Sequence, residues 1–505
     1  MTDDDATAPA TMVRYRIIMI SILMAFGLYL TRVAPGEIVK TDSFQDDTAL
    51  NQHSATRFQL ELTDSGDTKK PLRLLVCSLT GRPEGDAETL KLIYPQVVKD
   101  GLTRAEATDL LSQVENVGGS GRIRISKQQI GSILGAFFFT YALLQVPAGW
   151  IGDRFGPRRA LSVYILSWSA LTAISGLMVS LPGLLFARLG YGVCQAGAYP
   201  ASNAIVRVWF PLSLRGRASS LISFGGRLGG TLAPLATTLL IFWLGGWRAT
   251  LWAYGAFGVL VAIGYWIIVR DRPSQHSQCN LAEQELIGMP PDGPTFGLRE
   301  LARVVLACAT NRSLWLNSLG QFCVNVGWAF LVTWLPTYLK ESKGVPSTQG
   351  ALMVTIVLST GMIGQLIGGW ATDLSVRTLG LRIGRVLPIS LASAMAGLAY
   401  MSCLLFDNVW AIVACCALVS LMTDVGNPSI WAFMQDIGGR STATVFGWAN
   451  MWGNFGAAFS ASMVPVLMTW GSQHGSGHSL VFIACGGAFF IAGIAAMGMD
   501  ATKPM

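Results

Sequence analysis

Apolar and polar positions along this chain are grouped in long blocks. Crossing the apolar core of a bilayer takes about 20 helical residues at 1.5 Å of rise per residue, and each apolar block approaches or exceeds this length. A polar stretch, residues 270–312, divides the blocks into two groups of six. We place twelve helices at about 17–38, 128–150, 160–181, 183–209, 218–243, 248–269, 313–339, 349–371, 386–406, 409–434, 442–470 and 479–498.

This arrangement predicts an all-α membrane protein with 12 transmembrane helices in two six-helix bundles. The predicted order is an N-terminal tail with helix 1 (1–40), an insertion (41–126), helices 2–6 (127–269), a cytoplasmic linker (270–312), a C-terminal six-helix bundle (313–498) and a cytoplasmic tail (499–505).

The insertion between helices 1 and 2 is predicted to form a small cap outside the membrane. The segments FQLEL and LRLLVCSL flank the turn-like TDSGDTKKP, which predicts a β-hairpin. Residues 87–114 have helical character, and VGGSGR is typical of a linker. The sequence leaves open whether this cap is a loop without substrate contact or a functional lid.

The distribution of arginines predicts the orientation in the membrane. Loops on the side of the N-terminus contain Arg154, Arg215, Arg270 and others, whereas the opposite short loops hold few basic residues. The positive-inside rule therefore places both termini in the cytoplasm and the insertion outside. A cleaved signal peptide is the alternative for the N-terminal run, but losing helix 1 would put the arginine-rich loops on the wrong side. We expect a multi-pass protein of a bacterial inner (cytoplasmic) membrane.

Composition excludes several functional classes. The chain is 51% hydrophobic and only 13% charged, against about 25% charged residues in soluble domains. The positive-inside rule explains the formal charge of +7 better than nucleic-acid binding does, so no nucleic-acid partner is predicted. Nine scattered cysteines without a C-x-x-C pair indicate no metal site. No hydrolase or nucleotide-binding motif is present, so we expect neither an enzyme nor a cofactor.

Polar side chains lie on single faces of some apolar blocks. Arg188 and Gln195 are seven residues apart, close to two helical turns, and Tyr29 and Arg32 are three apart. An arginine near mid-membrane costs about 2.5–3.5 kcal/mol on insertion scales, so it usually faces a cavity or a partner. We interpret the face of Arg188 as part of a binding site for an anion.

Two loops at corresponding positions share a glycine–aspartate spacing. The loop after helix 2 reads GWIGDRFGPRR, and the loop after helix 8 reads GGWATDLSVRTLGLR. Gly149 and Gly369 each precede an aspartate by four residues, Asp153 and Asp373, and arginines follow. Such a repeat indicates a duplicated six-helix unit and hence two pseudo-symmetric bundles.

The first of these loops matches G-x-x-x-D-R-x-G-x-R-R, so the chain resembles the major facilitator superfamily and its fold. In that superfamily the motif acts as a cytoplasmic latch between the halves. The resemblance, with the repeat in the second half, implies gating roles for Gly149, Asp153, Arg154, Gly156, Arg158, Arg159, Asp373 and Arg377.

Further motifs narrow the resemblance to the anion:cation symporter family, which includes sialin and transporters of glutamate, hexuronate and galactonate. They are R-Y-R-I-I, Q-V-P-A-G-W, W-F-P-x-x-x-R-G-R-A, G-W-R, W-L-P-x-Y-L and N-x-x-x-N. Arginines on helices 1 and 4 hold an organic anion in this family, which implies these roles for Arg32 and Arg188. The other candidate substrate-binding residues are Tyr29, Tyr141, Gln145, Arg227, Gln321, Asn325, Asn427, Asn450 and Asn454. Hydrogen bonding between helices is the alternative role for the amides.

The chain departs from this family at two acidic positions. Thr31 and Gln195 stand where the family usually has an aspartate and a glutamate that bind a coupling proton. Gln195 is therefore a candidate coupling position, and Asp424 is the remaining acidic candidate within an apolar block. It either binds a proton or pairs with an arginine. Proton coupling, sodium coupling and uniport all stay open.

We therefore expect a monomeric, lipid-embedded transporter that moves a small organic anion, a sugar acid or another carboxylate, by alternating access. The alternatives are an organophosphate exchanger, because arginines also bind phosphate, and a non-transporting receptor that uses the insertion.

Overall fold

The fold was obtained as a computed structural model, which describes residues 9–64, 69–83, 96–288, 297–473 and 479–505. The first half of the chain forms, in order, α1 (Val13–Ile38), α2 (Asp42–Gln45), α3 (Thr48–Gln52), β1 (Phe58–Asp64), α4 (Lys69–Thr80), β2 (Gln96–Leu102), α5 (Arg104–Asn116), β3 (Ser120–Ile125), α6 (Lys127–Leu143), α7 (Gln145–Phe155), α8 (Pro157–Ser175), α9 (Leu181–Ala196), α10 (Ala198–Trp209), α11 (Arg215–Leu244), α12 (Trp247–Ile268) and α13 (Leu281–Ile287).

The second half contains α14 (Leu298–Thr310), α15 (Arg312–Ala329), a π-helical turn (Phe330–Trp334), α16 (Leu335–Glu341), α17 (Ser347–Ser402), α18 (Val409–Gly438), α19 (Thr442–Gln473) and α20 (Ser479–Met497). Short 3-10 turns lie at Leu212–Leu214, Pro273–Gln275, Cys403–Leu405 and Gly439–Ser441.

Seven helical stretches of the described chain are long and apolar enough to cross a membrane, and the pair α6 and α7, bent by 54°, makes an eighth if it is one span. The stretch Thr348–Leu405 has 58 residues, or about 87 Å as a straight helix, far more than a bilayer core of about 30 Å. The chain breaks its helical path at Gly380, whose φ of 77° only glycine adopts readily. A Cβ on Gly384 would lie 2.5 Å from the Val376 backbone, so the chain folds back on itself here.

Local chemistry marks the other helix ends. Gly156, with a φ of 87°, separates α7 from α8. Side chains of Ser180, Asn311 and Asn408 accept hydrogen bonds from the first turns of α9, α15 and α18. Many large apolar side chains point outward, as expected of helices surrounded by lipid.

The insertion contains a three-stranded antiparallel sheet in the order β2-β1-β3, so the chain is not entirely α-helical. The predicted hairpin is wrong: FQLEL lies in β1, but LRLLVCSL belongs to helix α4. Its buried Leu72 and Val76 are four residues apart, which is helical spacing.

The other predictions for the insertion are also corrected. The supposed linker VGGSGR enters strand β3, which pairs with β1. Of the predicted helix at 87–114, only residues from Arg104 onward are helical; residues 96–102 form β2, and residues 87–95 lie outside the described chain.

The insertion packs against the ends of α1, α6, α9 and α12. Its core residues Phe44 and Leu50 share a cluster with Ile38, Leu184 and Leu251 of these helices. The insertion is thus part of the first half of the molecule.

An ion pair strengthens this attachment. Arg248 Nε and Nη2 donate to the two carboxylate oxygens of Asp47 at 3.0 and 3.1 Å, while Nη1 donates to the carbonyls of Gly176 and Met178. Arg248 therefore connects the insertion, the loop after α8 and the start of α12.

Candidate functional site

The guanidinium of Arg32 lies among aromatic rings of α1 and α6. Its central carbon is 4.7 Å from the ring centre of Tyr29, 5.0 Å from Phe137 and 4.5 Å from Tyr141. Such contacts stabilise a cation without neutralising it. Arg32 Nε donates to Gln195 Oε1 at 3.1 Å, while the buried Nη2 has no hydrogen-bond partner.

Arg188 of α9 lies beside Arg32 and is 94% buried. Its guanidinium carbon is 5.5 Å from the ring centre of Phe137, which Arg32 also contacts, and 5.1 Å from that of Tyr191. Arg188 Nε is buried and has no hydrogen-bond partner. Within the described chain, no carboxylate pairs with either arginine.

A chain of hydrogen bonds holds Gln195 in place. Its Nε2 donates to the carbonyl of Leu28 at 3.2 Å and to the Tyr191 hydroxyl at 2.5 Å. Tyr191 in turn donates to Thr31 Oγ1 at 2.6 Å, and Thr31 donates to the carbonyl of Gly27. The carbonyl of the Gln195 amide is thereby directed toward Arg32.

Sequence reasoning missed Phe137 and Tyr191. Helical spacing could have identified both residues. Phe137 precedes Tyr141 by one helical turn, and Tyr191 lies between Arg188 and Gln195 on the same face. Aromatic residues are so frequent in apolar helices that spacing alone did not single them out.

Arg227, a candidate substrate ligand, forms an ion pair with Asp424 across the two halves. Arg227 Nη2 donates to Asp424 Oδ1 at 2.6 Å, and Gln365 Nε2 donates to the same oxygen at 2.9 Å. Trp328 lies 4.9 Å from the Arg227 guanidinium. The structure therefore gives Arg227 a fixed carboxylate partner, in contrast to Arg32 and Arg188.

Two of the candidate amides reach across the halves. Asn450 Nδ2 donates to Gln145 Oε1 at 2.9 Å, and Asn427 Nδ2 donates to Ser223 Oγ at 3.4 Å. Gln145 Nε2 is buried without a partner. These contacts connect α7 with α19 and α11 with α18.

The remaining amides bond within the second half. Asn325 and Asn454 donate to the carbonyls of Gln321 and Asn450, one turn earlier in their own helices. Gln321 Nε2 lies 3.6 Å from the sulfur of Met434.

Asp153, at the end of α7, caps the start of α19 in the other half. Its carboxylate accepts hydrogen bonds from the backbone N–H of Ala443 at 3.0 Å and from Thr444 N–H and Oγ1 at 2.8 and 2.6 Å. Gly149 lies against the Ala443 carbonyl, where a side chain would not fit. A carboxylate at a helix N-terminus is stabilised by the unpaired N–H groups and the helix dipole.

Asp373 makes the equivalent contact in the opposite direction. It accepts from the backbone N–H of Gly216 at 2.8 Å and of Arg217 at 3.0 Å, at the start of α11. Gly369 lies against Ser220. The two glycine–aspartate pairs of the sequence repeat therefore each hold a helix of the opposite half.

A buried ion cluster that sequence reasoning missed lies near these caps. Asp436 of α18 accepts from Arg215 Nη1 and from Arg385 Nε, both at 2.7 Å, and is almost fully buried. Arg207 also donates to the carbonyl of Gln435 at 3.1 Å. The sequence identifies Arg215 only as part of a basic loop.

Of the other predicted gating residues, only Arg377 has a described contact with the opposite half. Arg154 lies against Trp150 and Phe155. Arg158 donates to the Trp266 carbonyl at 2.7 Å. Gly156 separates α7 from α8, Arg159 is exposed, and Arg377 donates to the Ser213 carbonyl at 3.5 Å.

A narrow apolar cavity adjoins Arg188 on the side of the insertion. Its lining includes Thr31, Leu184 and Trp247 of the helices and Phe44 of the insertion. The cavity therefore lies inside the first half, and the Arg227–Asp424 contact between the halves is not part of its lining.

Comparisons with known proteins agree with this architecture. Residues 92–461 match the Major Facilitator Superfamily. The chain is 30% identical to the probable sulfoacetate transporter SauU of Cupriavidus necator over 74% of this chain and 85% of that one. It is 26% identical to the D-galactonate transporter of Escherichia coli O6:H1 over 78% of this chain and 91% of that one.

A solved structure of the human organic anion transporter MFSD10 (TETRAN) is similar in fold. It superposes with a TM-score of 0.62 at 14% identity, covering 96% of this chain and 99% of that one.

Proposed function

Because the chain belongs to the Major Facilitator Superfamily, a family of transporters and not of enzymes, we propose that it moves a small organic anion across the membrane by alternating access. The observation that carries this proposal is the pair of guanidinium groups, Arg32 and Arg188, which lie beside one aromatic ring without a carboxylate partner in the described chain. The names of the relatives, which refer to sulfoacetate and D-galactonate, support a carboxylate as the substrate class.

Electrostatics explains why such a pair favours an anion. A buried cation without a partner is unfavourable, and a bound carboxylate or sulfonate offsets that cost. Arg32 Nη2 and Arg188 Nε retain unused donors, and hydrogen bonds between a guanidinium and an oxyanion are about twice as strong as neutral ones. Tyr29 and Tyr141 supply nearby hydroxyls that suit the hydroxyl groups of a sugar acid.

We propose that the described elements form twelve transmembrane helices. The bent pair α6–α7, the consecutive helices α9 and α10, and the series α15–α16 are counted as one helix each, and α17 is counted as two because of the break at Gly380. With α1, α8, α11, α12, α18, α19 and α20 the total is twelve. The basic loops near the Asp153 and Asp373 caps support a cytoplasmic location for that side of a bacterial inner membrane and an external location for the insertion.

In this arrangement the two halves are closed on the cytoplasmic side. The Asp153 cap, the Asp373 cap and the Asp436 cluster all join the halves there. Opening toward the cytoplasm requires these contacts to break, and the cytoplasmic side closes again when the contacts re-form. The coupling role is assigned to the Arg227–Asp424 pair, because it is a buried ion pair between the two halves and Asp424 is its acidic member.

The experiment that tests the proposal compares two arginine variants in proteoliposomes. Arg188→Ala should reduce uptake of sulfoacetate and of D-galactonate at least about 100-fold, because an ion pair with the substrate is lost. Arg303→Ala is the matched control, since Arg303 is exposed and, among the described residues, its ion-pair partner is neighbouring Glu300. Unchanged uptake by Arg188→Ala, at equal amounts of inserted protein, would contradict the assignment. Uptake of sugar phosphates in preference to either acid would instead favour organophosphate exchange.

A further inference from the structure

We infer that the transported anion carries two negative charges, and that the uncharged side chain of Gln195 sets this preference. The inference rests on the proposed function, because it concerns the charge of the anion that Arg32 and Arg188 bind. The two relatives do not decide the matter: sulfoacetate is a dianion, and galactonate is a monoanion.

Positively charged side chains outnumber negatively charged ones around the site. Three arginines of the first half face the region between α1, α6, α9 and α11, and one of them, Arg227, is compensated by Asp424. The described contacts of Arg32 and Arg188 are with tyrosines, Phe137 and the neutral amide of Gln195. Within the described residues the site therefore has two excess positive charges.

The two excess charges lie close enough for one small molecule. Both guanidinium carbons are within 5.5 Å of the centre of the Phe137 ring. One buried nitrogen of each arginine, Arg32 Nη2 and Arg188 Nε, has no hydrogen-bond partner. A short anion with an acidic group at each end can use both donors, whereas a monoanion leaves one buried cation uncompensated.

Gln195 occupies the position from which a protein carboxylate would cancel one of these charges. Its Oε1 accepts the Nε proton of Arg32 at 3.1 Å, while its Nε2 is held by Leu28 and Tyr191. A glutamate has the same shape, and its carboxylate would form an ion pair with Arg32. The excess charge of the site would then fall from two to one.

The test measures competition by pairs of acids that differ in one charged group. Glucarate and gluconate share a six-carbon chain but have two and one carboxylates, and sulfoacetate and ethanesulfonate differ in the same way. In proteoliposomes, each dianion should inhibit uptake of labelled sulfoacetate at a concentration at least about tenfold lower than its monoanionic partner, since one uncompensated buried charge is worth a tenfold factor or more.

The selectivity ratio is the inhibitory concentration of the monoanion divided by that of its dianionic partner. Gln195→Glu should lower this ratio at least about tenfold. Gln195→Met is the uncharged control: it removes the hydrogen bonds and should weaken uptake of both members of a pair without changing their ratio. The preference for dianions is measured on the wild-type protein. It can therefore be tested even if a Gln195 variant fails to insert into the membrane.

Three outcomes are distinct. Equal inhibition by the two members of each pair in the wild type would overturn the inference while leaving anion transport intact. An unchanged ratio in a folded Gln195→Glu protein would overturn the role of Gln195. If none of the four acids bound or was transported, the proposed function itself would be contradicted.

Discussion

The ion pair formed by Arg227 and Asp424 is one of the residue-scale contacts that connect the two halves. Asp424 is 2% exposed, while Arg227 keeps 22% of its side chain exposed. Removing one member of a buried ion pair leaves the other charge uncompensated, which typically costs about 3–5 kcal/mol and less when the remaining group reaches solvent. Removing both members avoids this penalty.

Asp424→Asn should therefore lower the melting temperature of the detergent-purified protein, and Arg227→Gln combined with Asp424→Asn should restore part of the loss. Glu300→Gln, which breaks an exposed ion pair with Arg303, should leave the melting temperature unchanged. A double variant no more stable than Asp424→Asn would show that the charge balance of this pair does not stabilise the fold.

At the residue scale, prediction succeeded where the information lay within one helix. The spacing of Tyr29 and Arg32, and of Arg188 and Gln195, predicted that each pair shares one face of a helix. In the structure Arg32 lies against Tyr29 and donates to Gln195, so the two faces meet. The partner of Arg227 could not be found in this way, because Asp424 is 197 residues away. Contacts between helices depend on packing that periodicity does not encode.

The attachment of the insertion is an element-scale feature that depends on Asp47. Burial alone would raise the pKa of Asp47, but hydrogen bonds from Arg248 and from the Leu50 N–H outweigh it and hold the pKa below its ordinary value. A carboxyl group with a lowered pKa in the folded state stabilises the fold above its unfolded pKa. That contribution disappears as the pH falls through the folded pKa.

Asp47→Asn should therefore lower the melting temperature at neutral pH, and its difference from the wild type should shrink as the pH falls below about 4. Tryptophan fluorescence can follow this transition, because Trp247 Nε1 donates to Asp47 at 3.1 Å. Asp46→Asn, at an exposed neighbouring position, is the control and should have no effect. A difference that stays constant with pH would mean that the charge of Asp47 does not hold the insertion.

At the element scale, the apolar blocks predicted the long helices well but the insertion poorly. Blocks of 20 or more apolar residues have few alternatives in a membrane, because every backbone group must be hydrogen-bonded within the helix. In the insertion, short segments such as Leu72–Leu79 are compatible with either a strand or a helix. In the sheet, β1 pairs with β2 and β3, which are remote from it in sequence. A hairpin pattern identifies only strands that follow each other closely, so it could not predict these pairs.

At the scale of the whole molecule, the duplicated glycine–aspartate spacing becomes a reciprocal pair of helix caps. Asp153 of the first half holds α19 of the second, and Asp373 of the second half holds α11 of the first. The repeat predicted the existence of two equivalent loops, but not that each carboxylate accepts backbone N–H groups. Because the caps are equivalent, both should contribute to closing the same side.

Asp153→Asn and Asp373→Asn should each increase opening on that side by a similar factor, and the double variant should exceed either. The loss of a helix cap costs about 0.5–2 kcal/mol, which corresponds to roughly a 2- to 30-fold change in the ratio of open to closed protein. A cysteine introduced at Ser219, which is buried and accepts from Gln435 of the other half at 2.9 Å, would report opening through its rate of labelling by an impermeant maleimide. Asp271→Asn is the control, because Asp271 accepts from the Arg158 N–H within the first half. If only one of the two cap variants raised the labelling rate, the halves would open asymmetrically, and the repeat in the sequence would not correspond to a repeat in mechanism.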